Sequence, residues 1–274
     1  MIRFDTKDVE AARQGNRAAL DGVVRAAQGP VYNLALRMLA HPTDAEDATQ
    51  EILIKIVTNL GGIRDIEAAG GWAMRIACRH LVAMRKHSRT EALRLSFDDF
   101  SKDLETGLDM SAVSASDDVE TRLAIEEVKV GCTLAMLTCL NRGLRIAYLL
   151  GDVFELTDTE AALVLEVTPA TYRQRLSRAR KSVMAFVVSK CGNVSPTANC
   201  RCERRVEAAT ACGRVVKGVS AFGLEADKGD NVPKIRAEVQ NLEEGRRAAA
   251  LMRSNPNFTT NVGELVLSVV GSTR

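Results

Sequence analysis

The sequence predicts an all-α fold: two small helical domains joined by an acidic flexible linker, followed by a partly helical C-terminal extension. Three observations predict it. Aromatic residues make up only 4% and strand-like alternation is scarce, whereas Ala, Leu, Arg and Glu dominate. Helical periodicity fills two blocks, residues 5–90 and 125–190, and lapses between them. At 274 residues the chain is also long for one compact unit. The boundaries read as 1–95, 96–124, 125–190 and 191–274.

The first block divides into helices at Gly29-Pro30, His41-Pro42, Gly61-Gly62 and Gly70-Gly71. In HPTDAEDATQEILIKIV, Thr43 and Glu46 have the spacing of a capping box, and Asp44, Glu46 and Asp47 suit the positive end of a helix. On a helical wheel Ala45, Ala48, Ile52 and Ile56 form a buried face. Asp44, Asp47, Gln50 and Glu51 form a stripe elsewhere, joined by Ile54. An isoleucine exposed beside an acidic stripe suits contact with a basic protein partner; a merely solvated acidic face is the competing reading.

The next helix is GGWAMRIACRHLVAMRKH. Trp72, Ala73, Ile76, Ala77, Ala83 and Met84 share one side, and Arg75, Arg79 and Lys86 form a basic stripe beside Trp72. Such a ridge can hold a phosphate backbone while the ring packs on an unstacked base. A plain core tryptophan fits the pattern equally well. His80 falls on the apolar side and reads as a core histidine, and Cys78 has no neighbour at metal-ligand spacing.

From Ser96 to Glu120 eight acidic residues face one lysine, Lys102, with no sustained periodicity. That composition reads as the linker.

The second block ends in TDTEAALVLEVTPATYRQRLSRARKSV. Thr157 with Glu160 forms a capping box. Thr168 supplies a second N-cap, with Pro169 at the first helical position. Two capped helices separated by a short turn follow the helix-turn-helix plan. At steps of about 100°, Tyr172, Leu176, Ala179, Val183 and Phe186 share one face of the second helix. Thr171, Gln174, Ser177, Arg178 and Lys181 share the other, flanked by Arg173, Arg175 and Arg180. Long polar side chains on one face can reach base edges in a major groove, while the flanking cations neutralise phosphates. Glu166 stands where such turns often carry glycine, at a cost of roughly 1 kcal/mol if the backbone is left-handed there.

The extension carries Cys191, Cys200, Cys202 and Cys212. Four thiolates could ligate zinc, though C-x8-C-x-C lacks the usual C-x2-C turn; redox-responsive thiols and plain unpaired thiols are the other readings. Arg201, Arg204 and Arg205 nearby would lower thiol pKa values. One helix is predicted, over 233–254. It places Ile235, Val239, Leu242, Ala249 and Met252 at helical spacing, to pack on the preceding domain or hold a regulatory partner.

Composition excludes several classes. No apolar run approaches the roughly 18 residues a bilayer span needs. The N-terminus is charged early, without a signal-peptide core, so a cytoplasmic protein is expected. Seven cysteines, an odd number, argue against a disulfide framework. Three histidines form no HExxH, no phosphate-binding glycine loop is present, and no base accompanies Cys200 or Cys202 for thiol catalysis. An enzyme is not expected.

In their order, DAEDATQEILIKIVTNL, GWAMRIACRHLVAMRK and the basic helix-turn-helix with its RLSRAR signature resemble the extracytoplasmic-function (ECF) sigma factors of bacterial RNA polymerase. The resemblance spans residues 5–190. It implies that Asp44, Asp47, Gln50 and Glu51, with Ile54 beside them, meet the clamp helices of the polymerase largest subunit. It further implies that the segment holding Trp72, Arg75, Arg79 and Lys86 opens and binds the −10 promoter element. The linker would thread through the polymerase. Thr168, Thr171, Arg173, Gln174, Ser177, Arg178 and Lys181 would serve the −35 element. Core polymerase, promoter DNA and an anti-sigma factor are the implied partners. The sequence departs from the family at GGIRDIEAAGGW, glycine-rich where an aromatic and polar loop is usual, at Glu166, and in the tail beyond Lys190. The competing function is a helix-turn-helix regulator that never joins polymerase; it needs no second nucleic-acid site, so the Trp72 helix counts against it.

Overall fold

A computed structural model describes residues 2–84, 96–111, 118–224 and 232–271. These residues form α-helices and short helical turns, with two isolated β-bridges. The helices are α1 (Thr6–Arg13), α2 (Arg17–Leu39), α3 (Pro42–Thr58), α4 (Ala69–Ala83), α5 (Phe97–Glu105), α6 (Val119–Thr138), α7 (Arg142–Tyr148), α8 (Asp158–Leu165), α9 (Pro169–Lys190), α10 (Val206–Ala211), α11 (Val232–Gln240), α12 (Glu244–Arg253) and α13 (Val262–Gly271). Two compact units result. One holds residues 1–92, 146–176 and 257–274; the other holds 93–145 and 177–256.

In the first unit α2, α3 and α4 bury Val23, Ala27, Val31, Leu34, Ile52, Ile56, Ala73 and Ala77 against one another. Two expected breaks are corrected. Helix α2 runs through Gly29-Pro30, because glycine before proline has no Cβ to clash with the ring, and the Asn33 amide also donates to the Gly29 carbonyl (2.9 Å). Gly70 and Gly71 lie inside the first turn of α4. A Cβ on Gly70 would collide with the Ile2 carbonyl oxygen, so the glycine serves packing rather than a break. The start of α3 also differs: His41 is the N-cap and Pro42 the first residue, which places Thr43 inside the helix. His41 Nδ1 accepts from the Asp44 amide at 3.4 Å.

The tail returns to this unit. Asn33 donates to the Phe258 carbonyl (2.8 Å) and accepts from the Phe258 amide (2.9 Å), and the Arg37 guanidinium lies 4.9 Å from the Phe258 ring centre. Gln28 bonds the Thr260 carbonyl and accepts from the Gly263 amide (2.8 Å), seating α13 on α2 and α3. No sequence pattern announced α13.

In the second unit the first part of the acidic segment is not a flexible linker. Residues 97–105 form α5, begun by a Ser96–Asp99 capping box, with Phe100 and Leu104 buried. Phe97 and Phe100 lie 5.1 and 5.3 Å, centre to centre, from the Phe186 ring. The acidic count hid three apolar residues at helical spacing. Residues 112–117 of that segment, and 85–95 before it, lie outside the described residues. The tail is locked to α6 by buried polar groups. Lys129 pairs with Glu126 (2.5 Å) and donates to the Ser254 carbonyl (3.0 Å), and Glu127 accepts from Ser220 and from the Phe222 amide. Arg236 grips Glu203 through Nη2 (2.8 and 2.9 Å) and Asn193 through Nε (3.0 Å). The single helix expected over 233–254 is two, α11 and α12, and Arg247 caps the Leu242 carbonyl exposed by the break (2.9 Å).

Candidate nucleic-acid interface

The turn between α8 and α9 is built by short-range bonds. Glu160 accepts from the Thr157 amide (2.8 Å) and hydroxyl (2.7 Å), and Thr157 accepts from the Glu160 amide (3.3 Å). Glu166 then takes φ 54°, ψ 44°, the left-handed conformation expected of that position. Thr168 Oγ1 accepts the Thr171 amide at 3.1 Å and Pro169 opens α9.

On α9, Tyr172, Leu176, Ala179, Val183 and Phe186 are all buried, and the Tyr172 hydroxyl donates to the Ala147 carbonyl (3.3 Å). Gln174, Ser177, Arg178 and Lys181 are exposed and Thr171 is half-buried, so the polar face points outward as the wheel placed it. Arg173 leans toward Asp158 of α8, 3.7 Å away.

On α3 the acidic stripe is turned out: Asp47 and Glu51 are exposed, with Asp44, Gln50 and Ile54 half-buried. The buried face is wider than expected because Thr49 and Leu53 join it.

Trp72 is half-buried rather than sunk in the core. The core face of α4 is Ala69, Ala73, Met74, Ala77, Cys78 and Leu81. Trp72 instead lines an open groove of about 790 Å³ with Ile76, Arg79 and His80 of α4, with Glu51 and Lys55 of α3, and with Asn59, the C-cap of α3. Lys55 and Asn59 were not singled out from the sequence. Successive four-residue steps from Glu51 to Lys55 to Asn59 carried the signal, because they continue one ridge of α3 to its C-terminal end. His80 Nδ1 accepts from Lys55 Nζ at 2.6 Å, and its Nε2 is 3.7 Å from Glu51. Burial, aided by Lys55 and opposed by Glu51, holds the imidazole below its ordinary value, so it is neutral near pH 7. Arg75 is half-buried, and Lys86 lies outside the described residues.

The cysteines regroup. Cys212 is exposed, whereas Cys191, Cys200 and Cys202 line a cavity of about 30 Å³ together with Cys132 of α6. Cys191 and Cys200 face each other across a β-bridge, and Asn193 donates to Cys202 Sγ at 3.2 Å. The arginines were expected to lower these thiol pKa values. Burial outweighs them: Cys200 is pushed up to about 11, despite Arg205 and Arg201, and Cys191, Cys202 and Cys132 also rise. Among the described residues no group of three or more His, Cys, Asp or Glu side chains is placed to hold a metal ion. Among them, too, no helix is long and apolar enough to cross a membrane.

Comparison with known proteins places two families on the chain: Sigma-70 region 2 over residues 23–90 and Sigma-70, region 4 over residues 131–183. The RNA polymerase sigma-H factor of Pseudomonas aeruginosa is 26% identical over 65% of this chain and 91% of its own. The ECF RNA polymerase sigma factor SigE of Mycolicibacterium smegmatis is 27% identical over 67% of this chain and 68% of its own. Among solved structures, CnrH in complex with the cytosolic domain of CnrY is 22% identical, with a TM-score of 0.45 over 67% of this chain and 96% of that one.

Proposed function

The chain belongs to the extracytoplasmic-function type of the sigma-70 family, and from that premise we propose how its residues divide the work. It binds core RNA polymerase and directs promoter recognition as a non-catalytic subunit. Asp44, Asp47, Gln50, Glu51 and Ile54 meet the polymerase clamp. Trp72, Arg75, Arg79 and Lys86 hold the −10 strand. Thr168, Thr171, Arg173, Gln174, Ser177, Arg178 and Lys181 serve the −35 duplex. Residues 1–95 and 125–190 are the two functional segments, 96–124 connects them, and 191–274 regulates them. The protein works in the cytoplasm, and an anti-sigma factor is its regulatory partner.

One observation carries this reading. A region-2 segment precedes a region-4 segment in one chain, and each shows its partner the charge that partner requires: carboxylates on α3 for a basic protein surface, cations on α9 for phosphates. Run-off transcription with purified core enzyme tests it. A promoter-dependent product that appears only with the chain present is the expected result. Duplex binding with no such product would leave a DNA-binding regulator instead. Charge reversal at Asp47 and Glu51 should abolish the product while leaving duplex binding intact.

A further inference from the structure

Within the first compact unit one contact joins the two DNA-facing segments. Arg79, on the groove side of α4, directs Nε and Nη2 at the same carboxylate oxygen of Glu166. Helices α4 and α8 pack together around this pair. Glu166 is the turn residue at φ 54°, where glycine is the unstrained choice. Turn geometry therefore gives no reason for a glutamate there, whereas the contact with Arg79 does.

The contact cannot persist on a promoter. The −10 and −35 elements are centred about 25 base pairs apart, roughly 85 Å of duplex at about 3.4 Å per base pair. A turn seated near one element cannot touch an arginine seated on the other. The Glu166 carboxylate also takes the place on the Arg79 guanidinium that a phosphate oxygen would occupy. We propose that the Glu166–Arg79 pair is a latch that holds the DNA-free chain closed, with the turn carboxylate standing in for a −10 phosphate until promoter DNA displaces it. The proposal rests on the assignment of Arg79 to the −10 strand. The two side chains are 65% and 40% exposed, so the pair is weak and screened by salt, as a latch that DNA must open requires.

Trp72 is the only tryptophan and shares the groove with Arg79, so its emission reports on closure without a label. Glu166→Gln keeps the side-chain shape and removes the charge. In the full chain it should bind short single-stranded DNA of random sequence about two- to fivefold tighter and shift the Trp72 emission. In an Arg79→Gln background the same change should add nothing to either readout. The latch is overturned if Glu166→Gln leaves the emission unmoved, or if its affinity gain persists undiminished without Arg79, which would make it general charge repulsion. Failure of every variant to bind single strands would overturn the −10 assignment, while the emission cycle would still decide the latch.

Discussion

Helices α4 and α9 both set cations against an apolar face, yet they offer them to different shapes of partner. On α9 the polar residues stand on an exposed ridge above a buried row from Tyr172 to Phe186, a form that fits a duplex groove. On α4 Arg79 borders a groove shared with α3, and Trp72 lies along it rather than beneath it. A concave site with a half-buried ring suits a single strand with unstacked bases. Similar sequence patterns thus lead to different sites, and the neighbouring helix makes the difference.

The buried row beneath the α9 ridge carries the largest expected effect. Phe186→Ala should remove about 3–5 kcal/mol of folding stability, because the ring is buried against Phe97 and Phe100. Chemical denaturation would show it, and a loss under about 1 kcal/mol would mean that the ridge has no such base. Next come two matched substitutions with opposite substrates. Arg178→Ala should cost roughly 1–3 kcal/mol on the cognate duplex and little on single strands. Equal loss on scrambled duplexes would make Arg178 a phosphate contact. Trp72→Ala should cost about 1–3 kcal/mol on single-stranded DNA and little on duplex; the reverse pattern would erase the contrast between ridge and groove.

The smallest effect concerns pH. His80 is held below its ordinary value by burial and by Lys55, against Glu51, with Arg79 in the same groove. The unfolded chain therefore takes up a proton that the folded chain resists. Its contribution to stability is full above about pH 6.5 and declines as pH falls below that. His80→Gln should flatten this acid-side decline in melting temperature; an unchanged slope would place its origin in other groups.

Short-range chemistry was legible and longer-range chemistry was not. The Thr157–Glu160 box, the Thr168 cap, the left-handed Glu166 and the buried face of α9 all depend on residues a few positions apart, and all stand as the sequence places them. The wheel could turn Asp47 and Glu51 outward for the same reason. Some differences are local: Pro42 draws the α3 cap from Thr43 back to His41, and Gly29 lets α2 run through Pro30; the others turn on a distant partner. Gly70 answers to Ile2, Phe100 to Phe186, and Cys202 to Cys132 rather than to Cys212.

The sequence alone determined an all-α chain, the caps of α8 and α9, and which faces of α3 and α9 meet solvent. Those properties follow from helical periodicity and from bonds closed within one turn. Only the tertiary structure decided that Arg79 meets a residue 87 positions away, that Trp72 lines a groove, and that the tail packs against α2, α3 and α6. Such contacts depend on which surfaces the folded chain brings together, and no local pattern encodes that.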